Sequence, residues 1–121
     1  MLYHVVFSTK ERAKDLDAAV RVELYPYLGG LAREKRGKAL ALGGGLKHVH
    51  ALANVPPALA VSDLLRFAKT KSCRWVRQKF NRDFGWQSGY SAFTVSPSKQ
   101  ADVAQHIHNQ ESHHRQQAFE D

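Results

Sequence analysis

Residues 38–55, KALALGGGLKHVHALANV, decide the fold that this sequence predicts. Residues 38–42 indicate a short strand, and residues 47–55 indicate a second strand. Between them, residues 43–45 are three consecutive glycines, which predict a turn. Two strands joined by a glycine turn are typical of a β-hairpin, so the centre of the chain predicts an antiparallel strand pair.

The segment on the N-terminal side of the hairpin predicts one strand and one helix. Residues 2–8 are rich in β-branched and aromatic side chains, as strands are. From Asp17 onward, apolar residues recur at helical spacing, and Gly37 indicates the end of that helix. Pro26 and Gly29-Gly30 fall inside the pattern and predict a kink or an early break.

The segment on the C-terminal side predicts a helix, a strand and a second helix. Apolar positions in residues 61–80 have the spacing of an amphipathic helix, and residues 91–95 indicate a short strand. A Ser-Pro pair at residues 96–97 is a good helix start. In this last helix, Val103 and Ile107 are expected to form the buried stripe.

The order of these elements predicts the fold class. An antiparallel sheet covered by helices on one face satisfies the order strand, helix, strand, strand, helix, strand, helix, which predicts an α+β domain of ferredoxin-like type. A chain of 121 residues fits one compact domain, and no linker or repeat interrupts it, so we expect residues 1–121 to form a single domain. The polar residues 111–121 are expected to fray.

The charge balance predicts a polyanionic partner. Eighteen Lys and Arg against eleven Asp and Glu give a net charge of +7, and nucleic acid is the commonest partner of such a protein, although charge alone also fits a merely soluble basic protein. Cys73 is the only cysteine, which excludes an internal disulfide. The sequence has no apolar stretch long enough to cross a membrane and no signal-peptide pattern, so we expect a cytoplasmic protein.

His48-Val49-His50 in the predicted third strand is the sharpest local feature. Alternate strand residues point to the same face, so the two imidazoles project together and form half of a divalent metal site. In the last helix, Gln110 offers an amide oxygen that suits Mg²⁺ or Mn²⁺, and His106 shares its helix face. A helix docked beside the sheet would bring both to the histidine pair. In a chain with seven histidines, the spacing alone favours solvated surface histidines.

The second predicted helix carries the electrostatic signal. Basic side chains bind phosphates, and exposed aromatic rings such as Trp75 and Trp86 can stack on unpaired bases, although most aromatic residues in so small a domain belong to the core. Few acidic residues offset the charge, so we interpret the helix as a nucleic-acid-binding surface. The candidate DNA-binding residues are Arg66, Lys69, Lys71, Arg74, Arg77 and Lys79.

Five stretches of the sequence, in order, resemble the single-tyrosine HUH transposases, which include small insertion-sequence enzymes and REP-associated tyrosine transposases. The stretches are YHVVFSTK at residues 3–10, KHVHAL at 47–52, VSDLLR at 61–66, WQSGYSAFTVS at 86–96 and NQESHHR at 109–115. The resemblance runs from Tyr3 to about Glu120, and the stretch at residues 86–96 is more specific than the histidine pair alone.

The resemblance implies a metal-dependent transposase that binds single-stranded or hairpin-ended DNA and cleaves and rejoins it. In that family two histidines and a helix glutamine hold Mg²⁺ or Mn²⁺, which implies His48, His50 and Gln110 as ligands here. A tyrosine on the same helix attacks a DNA phosphate and leaves a 5′-phosphotyrosine link and a free 3′-OH, with no nucleotide cofactor. The family works as a dimer whose sheets join, which predicts a homodimer.

Two positions depart from the family pattern. The family's Tyr-Ile-x-Asn-Gln is HIHNQ at residues 106–110, so His106 occupies the position of the nucleophile. Lys47 precedes the first histidine, where the family often has an acidic residue, and a cation there would weaken the binding of a divalent ion. Three functions stay open: a transposase with altered chemistry at His106, an inactive descendant that only binds DNA hairpins, and a basic RNA-binding domain. The third lacks its usual aromatic residues on the central strands.

Overall fold

The computed structural model describes residues 1–110, which form a four-stranded antiparallel sheet and three α-helices. The elements are β1 Leu2–Ser8, α1 Ala18–Glu34, β2 Lys38–Gly44, β3 His48–Asn54, α2 Val61–Phe80, β4 Ser91–Val95, a short 3-10 helix Pro97–Lys99 and α3 Gln100–His108. The strand order is β2-β3-β1-β4, and every neighbouring pair is antiparallel. The predicted ferredoxin-like α+β fold is therefore confirmed.

Two expectations from the sequence concern the C-terminal residues and membrane-spanning helices. The expected fraying of residues 111–121, and the His-His-Arg motif at residues 113–115, lie outside the described residues. Within residues 1–110, no helix is long and apolar enough to cross a membrane.

One face of the sheet is covered by α1 and α2, and we call it the helical face. Val5 and Phe7 of β1 and Val49 of β3 point to this face and are at most 5% exposed. They pack with apolar side chains of both helices, among them the fully buried Leu24 and Val76. Because each fully buried apolar side chain of this size contributes about 1.5–3 kcal/mol, the helical face contains the main core of the domain.

The opposite face carries His4, His48 and His50, and we call it the histidine face. The third helix, α3, packs on this face, so the expectation that the helices cover one face of the sheet is wrong. Ile107 of α3 is fully buried in a second small core together with Leu52 of β3. The apolar stripe of α3 gave no indication of which face it would cover, because a stripe of this width fits either face of a sheet.

The helix α1 does not break where the sequence predicted. It runs without interruption through Pro26 and Gly29-Gly30. The proline removes one backbone hydrogen bond, but the buried stripe on either side of it packs on the sheet and keeps the segment helical. Gly37 closes the helix end as predicted, since its backbone N–H donates to the Ala32 carbonyl at 2.9 Å.

The predicted glycine turn is in part a strand. Gly43 and Gly44 belong to β2, where they pair with His50 and Val49, and the turn occupies residues 45–47. Gly44 has a φ of 143°, a backbone conformation that glycine adopts without steric cost. The hairpin is therefore longer than the sequence indicated, and a glycine lies directly opposite one of the two motif histidines.

Candidate functional site

The two motif histidines lie together on the histidine face, as the alternation in β3 predicted. In the sheet register, His50 is opposite Val6 of β1, and His48 is opposite Ser8. The ring of His50 is half-buried, whereas His48 is exposed. Because β3 is hydrogen-bonded to a strand on each side, the backbone that carries both imidazoles is held in place.

A third imidazole, that of His4, contacts this pair, and the sequence analysis did not identify it. His4 Nε2 lies 3.1 Å from His50 Nδ1, and the two ring centroids are 5.3 Å apart. His4 is opposite Leu52 in the register, so it is the diagonal neighbour of His50 across the β1–β3 pair. His4 lies in the predicted first strand, but only the register between two strands that are distant in the chain brings it to His50.

The helix α3 is anchored beside His50 by close packing. Gly43, which pairs with His50, lies directly against the backbone carbonyl of Ile107, and a Cβ at residue 43 would overlap that oxygen. Ile107 itself is fully buried. The sequence therefore specifies a small residue in β2 where the helix backbone approaches. This contact fixes α3 over β2 and over the neighbouring β3, the strand that carries His48 and His50.

His106 and Gln110 form a pair at the C-terminal end of α3. Gln110 lies two residues beyond the last residue of the helix, and its Nε2 is 2.9 Å from His106 Nε2. An amide nitrogen only donates, so His106 Nε2 accepts this hydrogen bond and the ring proton is on Nδ1. The amide oxygen of Gln110, the atom that a hard cation would bind, does not take part in this contact.

Electrostatics connect α3 to the strand histidines. Burial lowers the pKa of His4 below its usual range, and His106 lowers it further. The lowered pKa keeps His4 neutral near pH 7, and a neutral imidazole has a lone pair with which to accept a hydrogen bond or bind a metal. Among residues 1–110, no three His, Cys, Asp or Glu side chains form a group that could hold a metal ion, so the assignment of Gln110 as third ligand stays a prediction.

Lys47, which the sequence analysis expected to weaken a metal site, has an acidic partner. Its Nζ lies 2.5 Å from a carboxylate oxygen of Asp15, and both side chains are about half exposed. The paired carboxylate offsets the positive charge next to His48. The repulsion that the sequence suggested is therefore smaller than an unpaired lysine would exert.

The six candidate DNA-binding residues lie on α2, on the helical side of the sheet and thus on the opposite side from the histidines. Lys69 Nζ donates to the carbonyl oxygens of Gln87 and Gly89 at 2.7 and 2.8 Å, and burial lowers its pKa. Arg77 Nε donates to the Phe84 carbonyl at 2.7 Å. These two side chains hold the loop before β4. The other four are Arg66, which pairs with Asp63, Lys79, which pairs with Glu23, and the exposed Lys71 and Arg74.

The aromatic residues near α2 belong mainly to the core. Trp86 is 7% exposed and donates its Nε1–H to Ser72 Oγ at 2.9 Å, while Trp75 stacks on Tyr27. The exposed aromatic residues are found elsewhere: Phe93 on β4 is 60% exposed and Tyr90 before it is 41% exposed. Among residues 1–110, the exposed rings that are available for base stacking are therefore on or next to β4.

Phe93 is an exposed ring next to the histidine cluster. It pairs with His4 in the β1–β4 register, and the two ring centroids are 6.4 Å apart. It therefore lies on the histidine face. Sequence analysis assigned Phe93 to a strand but had no means of choosing its face.

The fold and the paired histidines on a central strand define an α+β protein of the class that the sequence resembles. The model of the family described as "Transposase IS200 like" matches residues 1–110, and the chain belongs to this family. The transposase for insertion sequence element IS200 of Salmonella typhimurium strain LT2 is 30% identical over 101 residues, which cover 77% of this chain and 66% of that protein. The corresponding Salmonella typhi protein gives the same values.

Two solved structures share the fold. A Deinococcus radiodurans R1 protein described as a transposase is 26% identical, with a TM-score of 0.72 over 92% of this chain and 91% of that one. A REP-associated tyrosine transposase bound to a REP hairpin is 16% identical, with a TM-score of 0.64 over 88% of this chain and 61% of that one. At 16% identity, the second likeness concerns the fold alone.

Proposed function

We propose that this chain binds single-stranded or hairpin DNA on its histidine face, where His48, His50 and Gln110 hold Mg²⁺ or Mn²⁺ against a backbone phosphate. The observation that carries the proposal is the packing of Ile107 against Gly43, which fixes α3 beside His50. Two imidazoles and one amide oxygen are neutral donors of the types that these cations accept. A bound cation would neutralise charge on the phosphate and act as a Lewis acid.

The catalytic form of this proposal uses His106, which occupies the position of the family's tyrosine. The N–P bond to the imidazole would form as the bond from phosphorus to the 3′ oxygen breaks, and the leaving 3′ oxygen would take up a proton. The resulting phosphohistidine link would conserve the bond energy for rejoining. Attack requires that His106 Nε2 be released from the Gln110 amide, to which it is hydrogen-bonded.

A second candidate function is DNA binding without cleavage. The same hydrogen bond favours it, because it occupies the nitrogen lone pair that an attack would need. An imidazole is also shorter than a phenol, so its nitrogen does not reach as far from α3 as a tyrosine oxygen would. This candidate predicts binding that weakens steeply with salt and leaves the strands intact.

Phe93 gives the proposed surface a place for a base. An exposed aromatic ring stacks on any unpaired base, and such contacts contribute about 1–3 kcal/mol per base. Since Phe93 lies beside His4 on the histidine face, a nucleotide stacked there would have its phosphate near the histidine pair. This arrangement supports a single strand as the ligand, because stacked and paired bases do not present their faces to a protein.

We also propose that β4 is the strand through which two copies would join their sheets. It is an edge strand and its residues are largely exposed. An exposed edge has unpaired backbone donors and acceptors that a second strand can satisfy. Sedimentation equilibrium at micromolar concentrations tests the dimer, and a monomer at all concentrations would contradict it.

The experiment that tests the function is incubation of labelled single-stranded DNA hairpins with Mn²⁺ or Mg²⁺, resolved on denaturing gels. We compare the wild type with His48→Ala, His106→Ala and His106→Tyr, and use RNA of the same sequence as a control ligand. A shortened or protein-linked strand that depends on both histidines supports the catalytic form. Binding with intact strands, and cleavage only by His106→Tyr, supports the second candidate. Neither binding nor cleavage of DNA, or a preference for RNA, contradicts both.

A further inference from the structure

We infer that His4 is a positioning residue for the proposed metal site. It accepts a hydrogen bond from His50 Nδ1–H and so fixes the tautomer and the ring orientation in which His50 Nε2 presents its lone pair to a divalent cation. The inference rests on the proposed function, because it concerns the same site. It assigns a role to a residue of β1 that lies 46 positions away from its partner in the chain.

The geometry supports a direct hydrogen bond between the two rings. The distance of 3.1 Å between His50 Nδ1 and His4 Nε2 is within hydrogen-bond range, and the ring planes are inclined by 35°. Both rings are partly buried, on the two central strands of the sheet. The backbones that carry them are therefore fixed relative to each other by the β1–β3 pairing.

The chemistry allows two proton arrangements, and only one is compatible with metal binding through His50 Nε2. A neutral imidazole has one N–H and one lone pair. If His50 Nδ1–H donates to His4 Nε2, then His50 Nε2 has the lone pair that a cation needs. If instead His4 Nε2–H donates to His50 Nδ1, then His50 Nε2 carries the proton and is blocked. A cation at His50 thus selects the first arrangement, in which His4 is the acceptor.

An acceptor behind a metal-binding histidine has a known energetic effect. The partner of the second ring nitrogen orients the ring and raises its basicity, and its loss typically lowers metal affinity by about 10–100-fold. In this chain the acceptor is another imidazole. Phe93 lies on the other side of His4, with a distance of 6.4 Å between the two ring centroids.

The test has two readouts, of which the first needs no metal. Long-range ¹H–¹⁵N spectra of the metal-free protein report which nitrogen of His50 is protonated, and Mn²⁺ affinity is measured by electron paramagnetic resonance. We compare the wild type with His4→Phe, which removes the acceptor, and with His4→Gln, whose amide oxygen can replace it. Tyr3→Phe, on the adjacent residue and the opposite face, serves as the matched control.

We expect the wild type to have the His50 proton on Nδ1, and His4→Phe to shift it towards Nε2 and to bind Mn²⁺ about 10–100-fold more weakly. His4→Gln should recover most of the affinity, and Tyr3→Phe should match the wild type. Mn²⁺ affinity within twofold of the wild type in His4→Phe, with the His50 tautomer unchanged, overturns the inference alone. Wild-type Mn²⁺ binding that is absent or insensitive to His48→Ala overturns the proposed function, and the inference with it.

Discussion

The two faces of the sheet differ in what they bury and in what they leave accessible. The helical face is covered by two long helices and contains the large apolar core. Within residues 1–110, the histidine face is covered by the nine-residue α3 alone and keeps its imidazoles partly exposed. Stability and candidate chemistry are thus divided between the two faces. Alternation along β1 and β3 makes this division possible, because each strand supplies core residues to one side and histidines to the other.

The largest expected effect comes from the helical face. Leu24→Ala removes a fully buried side chain, so we expect the free energy of unfolding to fall by about 2–5 kcal/mol. Leu46→Ala, at a side chain that is 51% exposed, should change it by less than about 0.5 kcal/mol. Urea denaturation measures both. DNA affinity per folded molecule should be unchanged in both variants, and a selective loss of binding in Leu24→Ala would contradict the division.

A pair of glycine substitutions tests whether the contact of Gly43 with Ile107 holds α3 on the sheet. Gly43→Ala places a Cβ against the Ile107 carbonyl and should destabilise the protein by about 1–3 kcal/mol, because α3 has to move. Gly29→Ala, in α1, meets no atom within 4 Å and should stabilise it by about 0.5–1 kcal/mol. Thermal unfolding measures whether each substitution lowers or raises the stability. If Gly43→Ala is as stable as the wild type and binds DNA equally well, α3 is not anchored as described.

Two exposed aromatic residues of the described chain, Phe93 and Tyr90, distinguish the faces as DNA-binding surfaces. Phe93→Ala should weaken single-stranded DNA binding by about 1–3 kcal/mol, because the ring lies beside the histidine cluster. Tyr90→Ala is the matched control, since Tyr90 lines a groove with Arg66 and Lys69 of α2 on the other side. Fluorescence anisotropy with a labelled oligonucleotide measures both. The reverse order of effects would transfer the DNA site to the helical side.

The smallest expected effect concerns the charge on α2. Arg74→Gln removes an exposed cation on the side of the sheet opposite the proposed site, so the slope of log affinity against log salt should decrease by at most about 0.7, the value for one phosphate contact to single-stranded DNA. Lys79→Gln should change the slope less, because Lys79 Nζ already lies 3.1 Å from a carboxylate oxygen of Glu23. Anisotropy titrations between 50 and 200 mM salt cover the range needed. Equal slopes for both variants and the wild type would exclude α2 from the interface.

The fold could be predicted well because local sequence patterns determine most of its elements. The strand alternation around His48 and His50, and the helical spacing before and after the hairpin, determine the element order, and that order leaves few topologies. Of the kink or early break predicted at Pro26 and Gly29-Gly30, the break does not occur, because tertiary packing of the buried stripe outweighed a local preference. Gly43 and Gly44 were assigned to a turn because glycine has no side chain from which strand pairing could be inferred.

The arrangement of the candidate site could be predicted less completely from the sequence. The same-face placement of His48 and His50 follows from a period of two, but the contact of His4 with His50 depends on the register of two strands that are distant in the chain. The face on which α3 packs was also not encoded locally. For the same reason, the position of the basic residues of α2 on the opposite side from the histidines could only be seen in three dimensions.

The most direct test of the central claim is a titration of the ¹⁵N-labelled protein with substoichiometric Mn²⁺, followed by the paramagnetic broadening of amide signals. We expect the signals of His48, His50 and Gln110 to broaden first and those of α1 last, and we expect His48→Ala to abolish this order. Broadening that begins on the helical side, or that is uniform and unchanged in His48→Ala, would contradict a metal site on the histidine face.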